Sequence, residues 1–266
     1  MSDAIRSLLA YRELIYNLAV RDLRLKYKRS YIGVAWSLLS PLFMTVIYTI
    51  AMSFLLRGAR IPDRPYFALI LSGNLAWSLF TSSAVNSTVS FVHSPNLISR
   101  VHFPVESMPI AGVMANFVNY LITLVIYFIA VLVVRLPLGP SLILLPIVVA
   151  AQLSFCIGMS LLVATLTVYL RDLEHLVGIL MTALFYLSPV LYTLRPQYLP
   201  HAAATVLPIL KLNPFAWYLE TYHSIMYFGD WPSPTMFTAV LISAVIMPIL
   251  GYSVFLRLRA RLPEEV

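Results

Sequence analysis

Of the 266 residues, 60% are hydrophobic and only 11% are charged, with a mean hydropathy of +0.85. A soluble domain carries roughly 25% charged residues, so this composition excludes a water-covered globule and points to a chain crossing a membrane several times. The net charge of +7 would suggest nucleic acid in a soluble protein, but in a membrane protein it is what Lys- and Arg-rich cytoplasmic loops contribute.

The chain opens on a basic segment. Arg21, Arg24, Lys26, Lys28 and Arg29 fall within nine residues, directly ahead of an uncharged run that begins near Trp36. Leu8, Tyr11, Ile15, Leu18 and Leu25 recur at helical spacing on one face, with most of the cations off that stripe. Residues 1–30 therefore read as an amphipathic helix lying at the membrane surface with its apolar side in lipid. A plain basic flank to the first span is the simpler reading. A nucleic-acid arm is disfavoured because the charges adjoin a span. No apolar stretch with a small-residue cleavage site precedes them, so no removable signal peptide is expected.

A helix needs about 20 apolar residues to cross the hydrocarbon. Six uncharged runs have about that length: Val34–Leu56, Tyr66–Val92, Ser107–Val134, Leu142–Leu170, Leu176–Leu194 and Thr235–Leu256. The fold class expected is an all-α, six-span membrane protein, with the membrane domain over residues 31–258 and a tail over 259–266. An even number of spans puts both termini on one side. Placing them in the cytoplasm leaves twelve of the 18 Lys and Arg inside and six outside, as the positive-inside rule favours. Trp36 and Trp231 suit interfacial anchors.

Within the six runs there is no Asp, Glu, Lys, Arg or His. Ion-driven carriers commonly keep such a residue in the bilayer, and the five histidines show no metal-ligand spacing. There is no phosphate-binding Gly-rich motif ending in Gly-Lys. No catalytic, metal or cofactor site is expected, and uphill transport would draw on a second polypeptide. Cys156 lies alone in an apolar run and reads as a buried hydrophobe.

Neutral polar groups do recur. Ser83, Asn86, Ser87 and Ser90 line one helical face; Asn116, Asn119, Tyr120, Thr123 and Tyr127 line another. Such stripes bind helices together or line a wet path. Aromatic side chains at Tyr48, Phe54, Phe185, Tyr186 and Tyr192 add sliding contacts suited to sugars, or anchors at the interface. Ser154 with Gly158, and Ser160 with Ala164, are small-residue pairs that let helices approach closely. The loop 93–106 holds Ser94-Pro95, a helix start, and Phe103-Pro104, its stop: a short capped helix on the inner face. Residues 195–234 are broken by Pro200, Pro208 and Pro214 and read as two short helices dipping back into the outer leaflet.

Four stretches in register, "RDLRLKYKRSYIGVAWSLLSPL", "NLISRVHFPVESMPIAGVMANFVNYL", "YLRDLEHLVGILMTALFYLSPVLY" and "LNPFAWYLETYH", resemble the type-2 ABC transporter permeases. Their branch is similar to the exporters of O-antigen, teichoic acid and capsular polysaccharide. The resemblance implies a homodimer with six helices per subunit and two copies of an ATP-binding P-loop subunit below it. ATP and Mg would bind that partner, with no cofactor in this chain. The cargo implied is an undecaprenyl-linked polysaccharide, and the site the cytoplasmic (inner) membrane. Contacts to the ATP-binding subunit would involve Arg24, Lys28, Pro95, Asn96, Leu97, Arg100, His102, Arg171 and Asp172. A channel at the dimer axis would be lined by Tyr48, Phe54, Ser83, Asn86, Asn116, Asn119, Tyr120, Tyr127, Tyr186 and Tyr192. The outer gate would include Pro196, Tyr198, Asn213, Pro214, Phe215 and Trp217. Val105 and Glu174 stand where relatives are often basic. Two alternatives are an efflux permease for a small lipid or drug, and a membrane glycosyl- or phosphotransferase. The second would need acidic groups at the membrane face, where only Asp172 and Glu174 lie close together.

Overall fold

The computed structural model describes residues 11–27, 33, 36–55, 64–91, 104–198 and 207–259. Among the described residues every regular element is helical. Hydrocarbon offers no partner to backbone N–H and C=O groups, so a spanning chain satisfies them within each helix. In chain order the helices are α1 (Arg12–Tyr27), α2 (Trp36–Leu55), α3 (Tyr66–Thr88), α4 (Ser107–Val133), α5 (Leu145–Tyr169), α6 (Leu173–Leu187), α7 (Leu207–Leu210), α8 (Pro214–Tyr222) and α9 (Pro234–Leu258). Among the described residues, four segments are long and apolar enough to cross a membrane: α3, α4, α9, and α5 together with the 3-10 turn Pro140–Leu144 that leads into it. Two shorter apolar stretches, Leu39–Phe54 in α2 and all of α6, accompany them. The chain is thus a multi-pass membrane protein.

Helix α3 is the central one; Leu69, Ile70, Leu71, Leu75 and Phe80 are wholly or almost wholly buried. Helices α5 and α9 make the closest pair. A Cβ built on Gly251 would stand 2.1 Å from the Gly158 carbonyl oxygen, and one on Gly158 would stand 2.3 Å from the Pro248 nitrogen. The small residue at 158 that the sequence marks as a close-approach site is one. Pro248 lies inside α9 and has no N–H, so it leaves the Ala244 carbonyl without its helical donor. The Ser154 hydroxyl from α5 donates to that carbonyl at 2.7 Å.

Several sequence expectations shift. The fifth run, read as helical through Leu194, forms a helix only to Leu187. Ser188 precedes Pro189 and takes extended backbone, φ −103 and ψ 150, because a residue before proline is disfavoured in the helical region. Residues 190–194 then follow a non-helical, turning path and are largely buried, with the Val190 carbonyl against Gly73 of α3, where a Cβ would stand 2.3 Å away. The apolar face of α1 is also covered differently. Leu18 and Ala19 are buried against Ala111 and Ala115 of α4, with Leu14, Ile15 and Leu23 beside them. Protein, not lipid alone, receives that stripe, because α4 presents small residues there. Tyr11 and Tyr16 stay exposed.

The bundle has two distinguishable ends. At the end carrying α1, Phe91, Met108, Ala164, Val168 and Phe255 pack together, and the Tyr169 hydroxyl donates to the Leu258 carbonyl at 2.8 Å. The opposite end gathers residues 64–66, 134–140, 188–198 and 227–234. There Gly229, at φ +69, ends the segment after α8 and touches Gly139 so closely that neither position has room for a side chain.

Candidate functional site

At the α1 end, the residues expected to meet a partner are only partly described. Arg24 is exposed on α1, and Arg171 and Asp172 are exposed in the turn between α5 and α6. The turn is therefore accessible to a second protein. Lys28, Pro95, Asn96, Leu97, Arg100 and His102 lie outside the described residues.

The residues expected to line a channel divide into two sets. Tyr48 and Tyr192 are half-buried, while Phe54 and Tyr186 are 72% and 65% exposed. Tyr48 rests on Phe185 at 5.3 Å between ring centres, and Phe185 meets Tyr186 at 5.2 Å. So α2 and α6 touch at Tyr48 and Phe185, with Phe54 and Tyr186 outward. The other set faces inward. Ser83, Asn116, Tyr120 and Tyr127 are each at most 5% exposed, and both tyrosine hydroxyls bond inside the protomer. Tyr127 donates to the Met226 carbonyl at 2.8 Å, and Tyr120 lies 2.9 Å from the Tyr222 hydroxyl. In this arrangement Tyr120 and Tyr127 pack against the segment after α7 instead of lining an open path. Asn86 donates to Asn116 Oδ1 at 3.1 Å, and Asn119 donates to the Ala115 carbonyl at 3.3 Å.

At the opposite end, the described part of the segment expected to be an outer gate contains one substantial helix. Asn213 caps α8, accepting from the Phe215 N–H at 3.0 Å, with Pro214 at the first helical position, where its missing N–H costs nothing. The helix then widens into a π-helical turn over His223–Phe228. From Tyr218 to Phe228 every residue is buried. Phe215 is wedged among Trp77, Phe80 and Phe155, with ring centres 5.0 to 5.8 Å apart. Phe215 is thus an anchor to α3 and α5. Trp217 is half-buried and donates to the Lys211 carbonyl at 2.6 Å. Pro196 is exposed, and Tyr198 stacks on Phe228 at 5.9 Å.

Sequence reasoning missed the groups that hold this segment. Gln152 of α5 donates to the Ala76 carbonyl of α3 at 2.7 Å and accepts from the Tyr222 hydroxyl at 2.7 Å. Since the Tyr222 proton is committed to Gln152, Tyr120 donates to Tyr222. One chain of hydrogen bonds thus joins α3, α5, α8 and α4. An amide amid the 25 apolar-rich residues of α5 was the available signal. The Tyr218 hydroxyl similarly meets Ser243 Oγ at 3.1 Å and the Val240 carbonyl at 3.2 Å.

Arg64, Arg195, Glu220 and Asp230 at this end have partners within the protein. Arg64 donates to the Tyr227 carbonyl and lies over the Phe228 ring at 6.0 Å. Arg195 lies over the same ring at 3.5 Å and binds Asp230 at 2.8 Å. Glu220 is buried, accepts from the Thr193 hydroxyl and the Leu194 N–H at 2.9 Å each, and stands 4.0 Å from Arg195. Burial raises its carboxyl pKa, and those two donors and Arg195 pull it back. Among the described residues no group of three His, Cys, Asp or Glu could hold a metal ion.

Comparison with known proteins adds the context for this geometry. The family model described as ABC-2 type transporter matches residues 13–227. The O-antigen export system permease protein RfbA of Myxococcus xanthus is 28% identical, with the whole of both chains aligned. Two permease proteins of the same name from Klebsiella pneumoniae are 29% and 26% identical, each alignment covering 95% of this chain and 94% of the relative.

Proposed function

The chain belongs to the ABC-2 type transporter family, and from that premise we propose that it is the membrane subunit of an ATP-driven exporter of lipid-linked polysaccharide. Family membership makes it a transporter subunit that works with an ATP-binding partner; the polysaccharide cargo is the finer reading. The observation that carries it is end-to-end similarity to O-antigen export permeases. The spans support it, since their lack of titratable side chains leaves no ion-coupling residue in the bilayer. The same fact disfavours a glycosyl- or phosphotransferase.

In this reading α2 and α6 complete six spans, with both termini in the cytoplasm of a bacterial inner membrane. Residues 1–30 and the loop 93–106, with Arg24, Arg171 and Asp172, receive motion from two ATP-binding subunits, which hold the ATP and Mg. Two copies of the chain meet through the bare faces of α2 and α6. Phe43, Ile47, Ile50 and Phe54 on α2, and Leu176, Ile179, Leu180 and Tyr186 on α6, are exposed at helical spacing. The undecaprenyl-linked polymer passes beside Tyr48, Phe54, Tyr186 and Tyr192. Within residues 195–234, α8 and its π turn are the fixed part of the gate.

The test is export in a host lacking the chromosomal copy. Loss of surface polymer, with lipid-linked polymer building up inside and restored by the wild-type chain, is expected. Surface polymer unchanged, with a lipid dye or drug retained instead, would favour the small-molecule exporter.

A further inference from the structure

Between α1, the last two turns of α3 and the first turns of α4 lies a cavity of about 510 Å³, within the roughly 300–1,000 Å³ range of small-ligand pockets. Its lining includes Arg21, Asp22, Asn86, Ser90 and Asn116. Arg21 and Asp22 pair at 2.9 Å, so together they add no net charge to the cavity. Beside them lies a neutral polar surface of defined hydrogen-bonding sense. Asn86 spends its amide on Asn116 Oδ1, which leaves Asn86 Oδ1 to accept. The Ser90 hydroxyl donates to the Ser87 carbonyl at 3.0 Å, which leaves its lone pairs to accept. Asn116 is 5% exposed, and its Nδ2 finds no hydrogen-bond partner among the described residues. A buried donor left unmade costs about 1–3 kcal/mol, so the cavity holds an unmet demand for an acceptor beside a surplus of acceptors.

A phosphate offers acceptors only, and an ammonium offers donors only. A hydroxyl does both: its oxygen accepts from Asn116 Nδ2 while its proton goes to Asn86 Oδ1 or Ser90 Oγ. We propose that this cavity binds a sugar ring of a glycolipid headgroup through vicinal hydroxyls. The assignment rests on the reading of the chain as a glycolipid exporter and names where, at the α1 end, its cargo's sugar is first held. Arg21, Asp22 and Leu23 of α1 line the same cavity, so an occupant bears directly on the amphipathic helix.

The experiment uses the full chain with its ATP-binding partner in nanodiscs. Gly112 lines the cavity, and a Cβ there meets nothing within 4 Å, so Gly112→Cys is a reporter; Cys156 is buried and inert as background. At about ten times the half-protecting concentration, dodecyl glucoside is expected to slow maleimide labelling about tenfold. Dodecyl phosphate and dodecylamine are expected to leave it unchanged. Equal protection by all three would show that only the alkyl chain binds, and would overturn the proposal, as would protection by the phosphate or amine alone. Methyl glucoside protecting as well as the dodecyl compound would overturn the glycolipid source. Asn116→Leu is expected to abolish protection; should it fail to insert, Ser90→Leu, which fills the half-buried side of the cavity, is expected to do the same. Protection surviving in either variant overturns the assignment. Protection lost in a chain that still exports polymer supports the cavity as a non-essential holding site, whereas polymer export absent from the wild-type chain with protection intact overturns the proposed function alone.

Discussion

At the scale of single residues, the buried hydroxyls and one carboxylate hold the most consequence. Replacing Tyr222 with Phe removes the donor to Gln152 Oε1 and the acceptor for Tyr120, both buried. Two stranded polar groups should cost about 2–6 kcal/mol, read as a lower thermal midpoint in detergent with insertion intact. Glu220 acts through pH. Burial makes the folded chain hold its proton more tightly than the unfolded chain does. Stability should therefore fall as pH climbs out of the ordinary carboxylate range and through the raised value. Glu220→Gln should flatten that slope, measured as thermal midpoint against pH; an unchanged slope would assign it to another group. None of this was visible in the sequence. Glu220 read as one acid in a proline-broken outer segment, because burial of such a segment depends on what the spans leave open between them.

At the scale of elements, the boundaries were legible wherever uncharged runs met charges or prolines. The helices of α3, α4 and α9 start and stop within a few residues of the runs that announce them, since a spanning helix is set by hydrocarbon thickness. The run ending at Leu194 misled because composition reports burial, and Val190 and Leu191 are buried without being helical. The α5–α9 contact turns on two glycines. Gly251→Ala should force the helices apart and cost about 1–3 kcal/mol. Gly178→Ala, where a Cβ meets open space on α6, should stabilise by about 0.5–1 kcal/mol. Paired thermal melts of the two variants check both signs. Ser154→Ala should cost about 1 kcal/mol, because the carbonyl that Pro248 orphans then has no donor.

At the scale of the whole molecule, the absence of titratable groups from the spans leads to the expectation of a conduit without a motor of its own, and the family match makes the chain a transporter subunit. The sequence did not tell which of the expected channel residues face inward, because neutral polar and aromatic side chains serve packing and lining alike; packing against α8 separates Tyr120 from Tyr48. The difference predicts distinct phenotypes. Tyr186→Asp, on a face that is bare in one protomer, should leave insertion intact and cut surface polymer. Tyr120→Asp should lower the amount of folded chain itself, read by size-exclusion chromatography alongside export. Polymer and folded chain falling together in both variants would mean that Tyr186 also packs inside. The bond sequence Ala76–Gln152–Tyr222–Tyr120 has a mechanical corollary. It ties four segments without slack, so a single subunit is a stiff plate and a poor hinge. If the chain works as the proposed dimer, room for a bulky cargo would open by tilting one plate against its twin, with the stroke of the ATP-binding partner spent at that seam.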